Sequence, residues 1–149
     1  FPYTTLFRSV APEQIMDAFK EQYLNKKEPL HFKKLKVDDL SGETDSVFDT
    51  HVTVNYTLKG INGAFDAIGN GPIDAVKRGL VERFNLDIKI LDYEEHALQS
   101  GSNSQAAAYI HLLDMETGKV TYGVGVSSNI TRASVRAIFS AINRLELVK

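Results

Sequence analysis

Ile61–Leu80 reads INGAFDAIGNGPIDAVKRGL, and Val120–Phe139 reads VTYGVGVSSNITRASVRAIF. Laid one over the other, Ile61 falls on Val120, Asn70 on Asn129, Val76 on Val135, Lys77 on Arg136 and Leu80 on Phe139. In both stretches a strand-like run passes through a turn rich in glycine or serine into apolar residues spaced three and four apart. Ile73, Val76, Leu80 and Phe84 mark the first helix, and Val135, Ile138, Phe139, Ile142 and Leu145 the second. An internal repeat of this kind constrains the architecture more than any single motif.

Upstream of the first copy, Val52, Val54, Tyr56 and Leu58 alternate with His51, Thr53, Asn55 and Thr57, the pattern of a half-buried strand. Lys59-Gly60 turns that strand into Ile61–Ile68, and Asn85 ends the helix that follows. The second copy is preceded by strand-like Leu86–Leu98 and Gln105–Leu113, with a turn at Glu116-Thr117-Gly118-Lys119. The expectation is an α+β domain over residues 31–149. Two βββα units, about 31–85 and 86–149, form antiparallel sheets with helices on one face. A short helix precedes them. Val10-Ala11-Pro12 opens it with proline at a tolerated first position, and Ile15, Ala18, Phe19 and Tyr23 share a face. Asn25–Pro29 (NKKEP) stops it as a hinge, so residues 10–30 read either as a helix packed on the domain or as a connector. Residues 1–9, FPYTTLFRS, carry no periodicity and are set aside as a linker or a segment foreign to the domain.

Within Val120–Ser127, Val120, Tyr122, Val124 and Val126 form one face and Thr121, Gly123, Gly125 and Ser127 the other. The stripped face admits close approach by another backbone or a ligand, or else marks a bent or bulged strand.

A chain of 149 residues buries roughly 70% of its unfolded surface and needs no disulfide or metal staple. It has no cysteine, which removes disulfides, thiolate zinc sites and cysteine nucleophiles and fits a reducing cytoplasm. A net charge of −2 without a basic block argues against nucleic-acid binding. No apolar run reaches the ~18–20 residues of a membrane span.

The corners Gly69-Asn70-Gly71-Pro72 and Ser127-Ser128-Asn129 feed helix N-termini, whose free amides and dipole attract anions. GNGPID satisfies neither the P-loop nor the dinucleotide fingerprint. A carboxylate ligand and ordinary capping by Asn70 and Asn129 both stand as readings. The four histidines, His31, His51, His96 and His111, form no metal-binding pair. Asp92, Glu94 and His96 share one strand face, as an acid–base site or as a solvated edge, the latter favoured. Ser134 and Ser140 have no base identifiable from sequence. No catalytic or metal site is expected.

GNGPIDAVKRGL, LDYEEHAL, SQAAAYIHL and YGVGVSSNITRASVRAIFSAINRL together resemble the C-terminal regulatory domain of alpha-isopropylmalate synthases, from about Val10 to the C-terminus. APEQIMDAFKEQYL is similar to the helix that ends that family's connecting subdomain. The resemblance implies a homodimer that binds leucine near its interface as the feedback effector of leucine biosynthesis. It implies a parent acyltransferase whose separate catalytic barrel holds a divalent metal and condenses acetyl-CoA with 2-oxoisovalerate. No motif of that barrel occurs in this chain, so no cofactor is expected here. The leucine contacts it implies are Gly69, Gly71, Ile73, Asp74, Ile90, Tyr93, Ala97, Ser104, Ala106 and Ile130. Ser104 and Asp74 stand where relatives often carry alanine. A bulky residue at Gly71 is expected to abolish binding and leave the fold intact. Two alternatives stand beside this one: an isoleucine sensor like that of citramalate synthase, and a dimerisation module that uses the glycine face of Val120–Ser127 and binds no ligand.

Overall fold

A computed structural model describes residues 27–40, 42, 48–97 and 104–149. The expected N-terminal helix, the first part of the hinge at Asn25–Pro29 and Leu98 lie outside the described residues. The elements are β1 (Leu30–Asp39), β2 (Thr50–Leu58), β3 (Ile61–Gly69), α1 (Pro72–Phe84), β4 (Ile88–Ala97), β5 (Ala106–Asp114), β6 (Val120–Ser127) and α2 (Ile130–Arg144). They form two three-stranded antiparallel sheets, ordered β1-β2-β3 and β4-β5-β6, each followed by its helix. The twice-repeated βββα architecture is as the sequence implied.

Local chemistry explains the connections. Lys59 and Gly60 both take positive φ, 52° and 81°, the mirror-image turn whose twist suits a two-residue hairpin. The longer β5–β6 turn is organised by Asp114, whose carboxylate accepts from Glu116 N–H at 3.1 Å and from the Thr117 hydroxyl at 2.7 Å. The first strand of each unit carries a register irregularity in its first half, at Phe32/Lys34 in β1 and at Ile90/Asp92 in β4.

Alternation decides which faces are covered. Val52, Val54 and Tyr56 of β2 and Ala108, Ile110 and Leu112 of β5 are buried in one cluster with Val76 and Leu80 of α1 and Val135, Ile138 and Ile142 of α2. Helix α1 rests on β3 and β2, and α2 on β6 and β5. Helix α2 also reaches β1, and the two helices touch, so both units share this core.

The glycine face of β6 lies under α2. A Cβ at Gly123 would sit 2.0 Å from the Ala137 carbonyl oxygen, and one at Gly125 2.0 Å from that of Ala133. Close backbone approach is therefore realised by the chain's own helix. This corrects the reading in which the glycine face serves pairing with a second molecule, because α2 already occupies it.

Candidate ligand-binding corner

The first corner joins β3 to α1 through Gly69, Asn70 and Gly71. Gly69 is buried, and a Cβ there would sit 2.5 Å from the Ala75 backbone nitrogen, so glycine lets the helix settle against the strand end. Gly71 is the N-cap, at φ 138°, with Pro72 opening the helix and no side chain capping it. Capping by Asn70, one of the two sequence readings, does not occur. Instead Asp74 reaches back and accepts from the Asn70 N–H at 2.9 Å. The second corner does follow the capping reading: the Asn129 side chain accepts from Arg132 N–H at 2.9 Å.

An uncapped, glycine-bearing helix start faces a cavity of about 520 Å³, lined by Asn70, Gly71, Pro72, Ile73, Asp74 and Lys77 from the corner and Lys89, Ile90 and Tyr93 from β4. Gly71, Ile73, Asp74, Ile90 and Tyr93, drawn from separate parts of the sequence, thus meet around one space. Asp74 Oδ2 also accepts from Arg78 Nε at 2.9 Å. Burial works against the Asp74 charge, but the Asn70 N–H, the Arg78 hydrogen bond and the positive charges of Arg78 and Lys77 outweigh it and hold its carboxyl below the ordinary value. The site therefore offers a fixed carboxylate and the cations Lys77 and Lys89 beside the apolar flanks of Ile73 and Ile90.

The other expected contacts do not line this cavity. Ala97 and Ala106 are register partners at the end of β4 and the start of β5, Ser104 lies two residues earlier, and Ile130 opens α2. Tyr93 links the two groups. Its hydroxyl donates to Glu95 at 2.6 Å and lies 2.8 Å from the Ser134 hydroxyl, which donates to the Ile130 carbonyl at 2.9 Å. Burial and the Glu95 carboxylate raise the Tyr93 phenol pKa, which keeps it a neutral donor near neutral pH. Ser134, Lys77 and Lys89 were not among the sequence-derived contacts. The overlay of Lys77 on Arg136 was the one available signal that a cation at this position matters.

Asp92, Glu94 and His96 do share a face of β4, pairing with His111, Tyr109 and Ala107, and all three are exposed. Glu94 accepts from the Tyr109 hydroxyl and His96 stacks on the Tyr109 ring, an arrangement of a sheet edge. Among the described residues no group of three or more His, Asp or Glu is placed to hold a metal ion, and no helix is long and apolar enough to cross a membrane.

A family model described as the LeuA allosteric (dimerisation) domain matches residues 9–146. The chain is 34% identical over 138 residues to a 2-isopropylmalate synthase of Clostridium acetobutylicum, which covers 93% of the chain and 24% of that protein. It is 38% identical over 135 residues to one of Mycobacterium ulcerans, covering 91% and 23%. A third, of Parafrankia, is 47% identical over 93 residues, covering 62% of the chain and 16% of the relative. The chain spans about a quarter or less of the length of these curated relatives.

Proposed function

Because the chain belongs to the LeuA allosteric (dimerisation) domain family, we propose that it is the leucine-sensing regulatory part of a 2-isopropylmalate synthase. One observation carries this reading: the first corner and β4 line an open cavity of about 520 Å³ between apolar and oppositely charged groups. That volume lies in the ~300–1,000 Å³ range of small-ligand sites. A zwitterion with a branched apolar tail fits the chemistry. Lys77, Lys89 and the uncapped α1 amides suit its carboxylate, Asp74 its ammonium, and Ile73, Ile90 and Tyr93 its side chain.

In the parent enzyme a catalytic barrel with a divalent metal would use acetyl-CoA, in the cytoplasm, and this domain would pair with a second copy and transmit feedback inhibition. Ala97, Ser104, Ala106 and Ile130 would extend the ligand-contacting surface, with Gly69 supporting the corner from beneath. Residues 31–149 would form the regulatory domain, residues 10–30 the connection to the rest of the enzyme, and residues 1–9 a linker or foreign segment.

Calorimetric titration with leucine, isoleucine and valine, beside a thermal melt, tests the reading. Leucine at about 100 times its dissociation constant adds roughly 2.7 kcal/mol, which raises the melting midpoint of a domain this size by about 5 °C. Gly71 is a poor probe, because at φ 138° any side chain strains the corner by about 1–3 kcal/mol as well as filling it. Tyr93→Ala is cleaner: it removes one wall from an exposed edge strand and is expected to weaken leucine binding tenfold or more. Preference for isoleucine would move the parent activity to citramalate synthesis. Silence from all three ligands with a folded chain would leave a dimerisation module.

A further inference from the structure

The duplication that builds the first cavity builds a second. Asn129, Thr131, Arg132 and Arg136 of the second corner face Phe32, Lys33, Lys34, Leu35 and Val37 of β1 across a cavity of about 600 Å³, with Pro72 on its rim. The plan is the same in both places: one unit's corner lies against the other unit's first strand, near that strand's register irregularity. The chemistry has diverged position by position. Arg132 stands where the first corner has Ile73, Arg136 where it has Lys77, and buried Ala133 where it has the carboxylate of Asp74.

Among the described residues, the second cavity is therefore lined by four cations and no carboxylate. Among the described residues Lys33, Lys34, Arg132 and Arg136 have no carboxylate within ion-pair distance, although ion pairs do form elsewhere on β1 and at the first corner. Both guanidinium groups are held in place by neutral partners. Arg132 Nη1 donates to the Ser127 hydroxyl at 3.3 Å and Arg136 Nη1 to the Val126 carbonyl at 2.7 Å, so most of each fork stays free. Burial and the neighbouring Arg132 charge lower the Arg136 pKa.

We propose that this second corner cavity, between β1 and the start of α2, binds a small multivalent phosphate-type anion. An amino acid is disfavoured because no acid replaces Asp74 to receive an ammonium. A lone carboxylate would satisfy one of the four cations. Paired arginine forks and lysine point charges together match the several oxygens of a di- or triphosphate.

The test is calorimetric titration of the 149-residue chain with pyrophosphate, using inorganic phosphate, succinate and a glutamate-rich peptide as comparators. Pyrophosphate is expected to bind saturably, more tightly than phosphate or succinate. Its affinity is expected to fall tenfold or more in Arg132→Gln and in Lys33→Gln/Lys34→Gln. Those side chains are exposed, Arg132 alone donating to a buried hydroxyl, that of Ser127, which also accepts from the Asn129 N–H, and ligand-free thermal midpoints close to the parent's confirm that the variants fold. No heat from a folded chain, or equal affinity in parent and variants, overturns the site. Tighter binding of the peptide than of pyrophosphate assigns the cleft to an acidic protein segment and equally overturns the proposal. Leucine binding is read in a separate titration, so failure of either site leaves the other judged on its own.

Discussion

Asn143 shows what a single side chain contributes here. It is 3% exposed on α2, and its amide grips the first residue of β1 from both sides, accepting from Leu30 N–H at 3.1 Å and donating to Leu30 C=O at 2.8 Å. The neighbouring Lys59 N–H bonds to Pro29 C=O, so the Leu30 backbone groups point away from β2 and toward the helix. Asn143→Leu removes the partners of both the N–H and the C=O of the fully buried Leu30. Each unsatisfied group costs ~1–3 kcal/mol, so a loss of about 2–4 kcal/mol is expected. It would be read as a lower urea midpoint at unchanged slope. A variant as stable as the parent would mean that water or a shifted backbone replaces both bonds. Repeat logic could not have found this residue, since Phe84 occupies the corresponding place in the first unit.

Between elements, the tightest fit is β6 against α2. Glycine is required there by space and not by backbone angle, because helix carbonyls stand where a Cβ would be. Gly123→Ala and Gly125→Ala must each push α2 off the sheet, at about 3 kcal/mol or more, since rigid backbone is the obstacle. Gly118 in the β5–β6 turn is the control: it takes φ 76° with nothing within 4 Å of a Cβ, so Gly118→Ala costs only the ~1 kcal/mol of left-handed strain. Denaturant titration of the three variants separates the two mechanisms, and equal losses would refute the close-packing account. The sequence exposed the bare strand face but left its occupant open. Strand alternation says which side chains share a face, and only the path of α2 says what lies over it.

For the whole molecule, the open side of the first corner is the feature with consequences. Leu91–Ala97 of β4 are exposed on both faces, although their partners Ala107, Ala108 and Tyr109 on β5 are buried. Tyr93 is 38% exposed and Ile130 36%. A second copy set against this edge would cover apolar surface and close the first corner cavity, which agrees with the dimerisation in the family's description. Sedimentation equilibrium is expected to give twice the chain mass without leucine present. A monomer at micromolar concentration would remove pairing from the properties of this segment.

The sequence by itself determined the duplicated βββα plan, the hairpin at Lys59-Gly60, the helix stop at Asn85 and the placement of both corners. These depend on short-range rules: side-chain period, positive-φ tolerance and the spacing of apolar residues. It also assembled Gly71, Ile73, Asp74, Ile90 and Tyr93 as candidates, through resemblance and not through any local signal that they meet. Tertiary structure decided the rest. It placed α2 over the glycines of β6, bound Asn143 to Leu30 across 113 positions, and set each unit's corner against the other unit's first strand. Such contacts join residues far apart in the chain, and their energies depend on which surfaces the packed helices leave uncovered, a quantity with no local pattern in sequence.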